Sequence, residues 1–253
     1  MQVLWQVTTA AFFAGAVDAI VGGGGLITVP ALLTSYPQLS PALLLGSNKC
    51  SSIMGTLVAA RHYLRHVDLH VHWLLPAMLA AFVGSGIGAW CLTRLDPWLL
   101  RKLLPLVLLA VLVYTLRQRQ FGLRPGTALP ARTAWWLAVI MALAIGWYDG
   151  FFGPGTGSFF LFFLVRWLSL DFLQASAVTK LLNIASNLAA LLLLALGGHV
   201  WWQLGLAMAA ANMLGSLLGT RLALTHGVTL VRRVFIAVVT LLLLKTAWQA
   251  YFA

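Results

Sequence analysis

The sequence predicts an all-α integral membrane protein made of two inverted repeats, each a broken, re-entrant helix pair followed by three transmembrane helices. Three observations carry this. The chain has 253 residues, 61% of them hydrophobic and only 8% charged, where a soluble globular chain carries about 25% charged residues. Its apolar runs, about eight per chain, are too many for one soluble core. One motif also occurs twice: Gly15 to Gly25 and Gly146 to Gly157 both read G-x-x-D-x-x-x-G-x-G. The offset of 131 joins Gly15 to Gly146, Asp18 to Asp149, Gly22 to Gly153 and Gly24 to Gly155. It also carries Lys49 onto Lys180, Gly84-Ser85 onto Gly215-Ser216, Gly88 onto Gly219 and Arg101 onto Arg232. A gap-free match of that length marks a tandem duplication.

In chain order, residues 2–20 form an apolar segment with Asp18 near its end, and Gly22, Gly23, Gly24 and Gly25 break it, because glycines carry a high backbone-entropy cost in a helix. Leu26 to Ser35 is a short apolar piece, roughly half a bilayer long as a helix. Residues 42–63 span with Lys49 inside, and a polar link holds Arg61, His62, Arg65, His66, Asp68, His70 and His72. Spans follow at 73–93 and 99–116. The first repeat is residues 1–117, the linker 118–133, with Pro125 and Pro130 as helix breakers, and the second repeat 134–253. The second half repeats the plan: 135–152 leads into the break at Gly153, Gly155, Thr156 and Gly157, and Ser158 to Leu168 is the short piece. Spans at 174–196 with Lys180, at 201–222 and at 230–252 close the chain. Trp135-Trp136 and Trp201-Trp202 sit at span starts, where an aromatic belt belongs.

Charge decides the topology. If the broken segment enters and leaves on one side, the halves are inverted. One face then collects ten arginines: Arg61, Arg65, Arg117, Arg119, Arg124, Arg132, Arg166, Arg221, Arg232 and Arg233. The other keeps four charges, Arg94, Arg101, Lys102 and Lys245. If the broken segment crosses, the halves are parallel and the loop charges divide six against seven. The positive-inside rule selects the inverted arrangement, with both termini periplasmic and the arginine-rich links, the linker among them, cytoplasmic. Paired Gly/Pro-interrupted segments at matching positions of two halves are also what secondary transporters show at their binding sites.

Inverted symmetry brings the two breaks together near the midplane, with the short helices starting near Leu26 and Ser158 aimed at one point. Helix N-termini offer free N–H groups and a partial positive charge, and glycines let an anion approach the backbone. Lys49 and Lys180 supply counter-charge. A charge at membrane depth costs about 3 kcal/mol, so two lysines and two aspartates unpaired would cost roughly 10 kcal/mol. Asp18 and Asp149, at unfavourable helix C-termini, therefore pair with the lysines or take up a coupling proton; one sequence does not say which aspartate meets which lysine. Asn48, Ser51, Ser52, Thr179, Asn183 and Asn187 offer hydrogen bonds to a bound oxyanion.

Plainer readings stand beside these. The glycine breaks can be tight packing points, and the Lys/Asp quartet a structural ion-pair network. Gly84-x-x-x-Gly88 and Gly215-x-x-x-Gly219 read as helix-packing faces, and they are also faces through which a homodimer can form. His62, His66 and His70 have metal-compatible spacing but no nearby acidic ligand, so no metal is expected, and Cys50 reads as packing. The +11 charge is spread between apolar spans rather than gathered on a basic face, which argues against nucleic acid and for the lipid bilayer as partner. The N-terminus has no Lys or Arg before its first apolar run and does not read as a signal peptide. Two cysteines imply neither a disulfide framework nor a zinc site. There is no Gly-Lys dipeptide for a P-loop and no glutamate anywhere, and Ile27 and Ser158 stand where a dinucleotide loop needs its third glycine. No cofactor, no catalytic residues and no enzyme activity are expected; a transporter built this way is secondary or channel-like.

The stretch from Gly15 and Asp18 through the four glycines to Leu26, Ile27, Val29 and Pro30, with Asn48-Lys49 in the next span and Lys180 and Asn183 in the second copy, resembles the sulfite exporter TauE/SafE family of bacterial membrane transporters. The likeness covers nearly the whole chain; the second copy departs from it, with Pro154 and Gly157 and no proline where Pro30 maps. The resemblance implies a multi-pass inner-membrane permease for sulfite, sulfonates or related small anions, often exporting them. The alternative from the residues alone is a proton- or cation-coupled permease for another small solute using Asp18 and Asp149.

Overall fold

The computed structural model describes residues 2–69, 71–117 and 129–226. Among these residues all regular structure is helical: α1 (Gln2–Val21), α2 (Gly25–Ser35), α3 (Pro41–Leu64), α4 (Leu74–Arg94), α5 (Pro97–Arg117), α6 (Ala131–Phe151), α7 (Thr156–Trp167), α8 (Phe172–Leu196) and α9 (Trp202–His226). Each coincides with an apolar segment expected from sequence. The span at 230–252, most of the linker, His70 and Arg232 lie outside the described residues.

Among the described residues four helices are long and apolar enough to cross a membrane: α1 over Val3–Ile20, α4, α6 and α8. With 20 and 21 residues, α1 and α6 each reach roughly 30 Å, so the first limb of each broken pair is a full-length helix rather than a half. The second limbs, α2 and α7, have 11 and 12 residues and are half as long.

Local chemistry places these ends at equivalent positions. Ser40 Oγ accepts from Leu43 N at the start of α3, and Pro41 occupies the first turn, where its missing N–H costs nothing. The residue 131 positions on, Asp171, caps α8 by accepting from Leu173 N and Gln174 N at 2.9 Å. The breaks depend on left-handed backbone at Gly22 (φ +72°) and Gly153 (φ +92°), which glycine adopts without steric cost. Gly22 N donates to Asp18 O and so closes α1; Phe152 N and Gly153 N donate to Tyr148 O and close α6.

Packing obeys the duplication. α1 lies against α9, and α6 against α4; α3 lies against α9, and α8 against α4; α3 and α8 lie against each other. Shifting every element by one repeat exchanges the members of each set, so the halves interlock rather than sit side by side. Small residues permit the approach. A Cβ on Gly88 would lie 2.0 Å from Trp147 O, and one on Gly150 1.9 Å from Ser85 O. Across the equivalent seam, a Cβ on Gly215 would lie 1.8 Å from Phe12 O and one on Gly219 2.2 Å from Ala16 O. The Gly84/Gly88 and Gly215/Gly219 faces are therefore helix-packing faces. Within the chain they are filled by α6 and α1. Serine hydroxyls on the same two helices tie α4 to α8 and α9 to α3: Ser85 Oγ donates to Ser186 O at 2.6 Å, and Ser216 Oγ to Gly55 O at 2.7 Å. Large apolar side chains such as Trp5, Leu79, Ile140 and Leu206 point outward, whereas the buried polar residues collect along α3 and α8.

Candidate functional site

The site forms where the two breaks meet. A Cβ on Gly22 would lie 2.5 Å from Gly157 Cα, so the backbone between α1 and α2 touches the first turn of α7. Gly25 opens α2 and approaches Pro154, where a Cβ would lie 3.2 Å from its Cα. Only glycine allows backbones this close. Beside this junction α3 and α8 present their polar faces to each other.

Each lysine reaches into the other repeat. Lys49 Nζ lies 2.9 Å from Asp149 Oδ1 and donates to Asp149 O at 2.6 Å. Lys180 Nζ lies 3.2 Å from Asp18 Oδ2 and also donates to the Asp18 carbonyl. Asp18 and Asp149 lie in the last turns of their helices, where the helix dipole disfavours a carboxylate; the Asp18 carbonyl accepts from Gly22 N as well. A lysine that binds both the carboxylate and the carbonyl offsets two unfavourable groups at once.

The two pairs differ in their surroundings. Asp149 Oδ1 also accepts from Thr156 Oγ1 at 2.9 Å, and its Oδ2 from Ser186 Oγ at 2.7 Å. Asp18 Oδ1 accepts from Gly24 N at 3.2 Å, and the positions equivalent to Thr156 and Ser186 are Gly25 and Gly55. The side chains of Lys49 and Asp149 are each 4% exposed; Lys180 is 2% exposed, but Asp18 is 21% exposed.

Between these elements lies a cavity of about 30 Å³, room for roughly two waters. Of the residues singled out in the sequence, Asp18, Gly22, Gly25, Asn48, Lys49, Asp149, Gly153, Thr156, Gly157 and Asn183 line it. The others stand behind. Gly23 O accepts from Leu26 N, Gly24 N holds Asp18, and Gly155, left-handed at φ +84°, precedes α7. Leu26 and Ser158 are buried, and Lys180 reaches the cavity only through Asp18. Ser52 and Asn187, expected as hydrogen-bonding neighbours of the lysines, also line the cavity; Ser51 and Thr179 do not. Thr56 is a lining residue that the sequence reading passed over, although Asn48, Ser52 and Thr56 recur every four residues on one helix face. Ser186 was missed as well. It breaks the repeat by standing opposite a glycine.

In the first turns of α2 and α7 the N–H groups of Leu26, Ile27, Thr156 and Ser158 donate to the carbonyls of Gly23, Gly24, Gly153 and Gly155, which leaves those of Gly25 and Gly157 facing the cavity. With Lys49 they offer donors to an anion. Asp18, Asn48 and Asn183 offer acceptors. Among the described residues no three His, Cys, Asp or Glu side chains gather as metal ligands, and His62 and His66 turn their Nδ1 atoms to the α3 carbonyls of Val58 and His62.

Comparison with known proteins gives a consistent result. The family model described as "Sulfite exporter TauE/SafE" matches residues 7–246. A "Probable membrane transporter protein" of Haemophilus influenzae is 37% identical over 243 residues, 95% of this chain and 91% of the relative. The "Probable membrane transporter protein ORF9" of Sinorhizobium sp is 35% identical over 90% of this chain and 86% of its own length. The "Probable membrane transporter protein YfcA" of Escherichia coli is 35% identical over 95% and 88%. No solved structure matches.

Proposed function

The chain belongs to the sulfite exporter TauE/SafE family of membrane transporters, and from that premise we propose that it is a secondary transporter that exports a small anion, such as sulfite or an organosulfonate, across the bacterial inner membrane. The observation that carries this reading is the cavity at the meeting of the two breaks. It is lined by Lys49 and by the glycines that open α2 and α7, the donor set an anion needs at membrane depth. An anion leaving a negative interior is driven outward by about 2.3 kcal/mol per charge per 100 mV.

Two inverted repeats, residues 1–117 and 134–253, move against each other around this site. Both termini are periplasmic and the arginine-rich links cytoplasmic. The exchange of packing partners under the 131-residue shift supports two symmetry-related repeats, and the ten-to-four division of charge supports their inversion. Fusing a reporter active only in the periplasm to each terminus and within the linker tests it; a silent C-terminal fusion or an active linker fusion overturns it.

The functional test is efflux of sulfite from proteoliposomes. Wild type is expected to carry flux. Lys49→Met combined with Asp149→Leu removes the cavity's cation without stranding a charge, and is expected to abolish flux while the protein stays folded. Flux unchanged in that variant refutes the site. A second reading, cation coupling through Asp18, is favoured by the exposure of its side chain; sulfite flux that responds to an imposed sodium or proton gradient supports it.

A further inference from the structure

We propose that the cavity takes a small organic anion that also carries a hydrogen-bond donor, with an ammonium group preferred to a hydroxyl. The inference rests on the anion reading above and narrows its substrate class. Its starting point is a pair of orphaned acceptors. Asn48 Oδ1 and Asn183 Oδ1 are buried without a hydrogen-bond partner, and both residues, 5% and 4% exposed, line the cavity. A buried acceptor left unpaired loses what water gave it, and native structures rarely tolerate two such groups in one place. The two amides are not repeat equivalents: Asn48 matches Thr179, and Asn183 matches Ser52. Each half thus supplies one orphaned amide, and α3 and α8 bring them to one space.

A bare oxyanion has acceptors only. It satisfies Lys49 and the N–H groups of Gly25 and Gly157 but leaves both amide oxygens unpaired, and it faces the Asp18 carboxylate that lines the same cavity. A ligand that ends in a donor satisfies both sets. Charge points the same way. Two lysines and two aspartates sum to zero, so a monoanion brings an uncompensated charge to membrane depth, whereas a ligand with its own ammonium brings none. The 30 Å³ cavity is smaller than such a ligand, so binding includes an opening step. For ligands of equal size that step is shared and cancels in a comparison.

The test is a titration of the purified full-length chain in detergent with three isosteric probes: propane-1-sulfonate, 2-hydroxyethanesulfonate and 2-aminoethanesulfonate. Apparent dissociation constants are read from thermal stabilisation. The aminosulfonate is expected to bind about tenfold tighter than propane-1-sulfonate, with the hydroxysulfonate between them. Replacing both amides, Asn48→Leu with Asn183→Leu, is expected to bring the hydroxysulfonate to within about twofold of propane-1-sulfonate, because the two orphaned acceptors are gone, while the aminosulfonate keeps only the advantage of its zero net charge beside Asp18. Three probes that bind wild type alike, or a preference for the hydroxysulfonate over propane-1-sulfonate that survives undiminished in the double variant, overturn this inference and leave the anion site standing. No stabilisation by any of the three overturns the anion reading and this one with it.

Discussion

Removing one member of a buried ion pair should cost far more than removing both, and the crossed pairing says which double variant rescues which single one. Lys49→Met leaves Asp149 charged, 4% exposed, and supported only by the Thr156 and Ser186 hydroxyls. Stranding a buried charge costs about 3–5 kcal/mol, which for a chain of this size lowers the unfolding midpoint by about 10 °C. Adding Asp149→Leu replaces the pair with apolar side chains of similar volume, a change that is often neutral. The double variant Lys49→Met/Asp149→Leu should therefore recover most of the loss. Lys49→Met/Asp18→Leu should not: it strands Lys180 in addition to Asp149 and should melt below the single variant. The assay is thermal unfolding in detergent followed by tryptophan fluorescence, with the four variants of each cycle giving the coupling energy. Rescue by Asp18→Leu, or no rescue by Asp149→Leu, refutes the crossed pairing.

Within α4, Gly88→Ala drives a Cβ to 2.0 Å from Trp147 O, whereas Gly86→Ala meets nothing within 4 Å; the first should lose about 1–3 kcal/mol by overpacking and the second gain up to about 1 kcal/mol in helix propensity, read as opposite shifts of the midpoint. Gly22→Ala and Gly198→Ala start from the same φ of +72°, which costs either variant about 1–2 kcal/mol. Gly22 alone also faces Gly157 Cα at 2.5 Å, so Gly22→Ala should be the more damaging of the two by midpoint and should lose flux. Thr156→Val removes one of the two hydroxyls that hold Asp149 and should cost about 1.5–3 kcal/mol, with no such loss when Asp149 is already leucine.

Much of this arrangement is visible in the sequence, because the duplication supplies a second reading of every position. Gly22 and Gly153 mark the breaks by composition and turn out left-handed at both. Lys49, Lys180, Asp18 and Asp149 at membrane depth require partners on energetic grounds alone. The choice of partner was not legible, since pairing within each half and pairing across halves satisfy the 131-residue shift equally. The choice depends on α1 packing against α9 and α6 against α4, a tertiary fact with no local signature. The glycines of α4 and α9 could be placed on packing faces, but a sequence does not say whether the opposing face belongs to the same chain. The unequal support of the two aspartates lies at positions where the repeat fails, Gly25 against Thr156 and Gly55 against Ser186. Such mismatches look neutral until the fold shows what their hydroxyls touch.

That inequality bears on motion. Every charge in the quartet is neutralised by the opposite half, so a displacement of one half against the other, which alternating access requires, must stretch an ion pair. Asp149 is held by a lysine and two hydroxyls; Asp18 is held by a lysine and one backbone N–H at 3.2 Å and is partly exposed. The Lys180–Asp18 pair should yield first. Gly25→Ser gives Asp18 the kind of hydroxyl that Thr156 gives Asp149, at a position where a Cβ meets Pro154 Cα at 3.2 Å, tight but not impassable. A hydrogen bond to a charged group adds about 1.5–3 kcal/mol. If that bond must break in each transport cycle, the variant should unfold a few degrees higher and carry sulfite about tenfold more slowly in proteoliposomes. A higher midpoint with unchanged flux would mean that the Asp18 pair stays closed throughout the cycle.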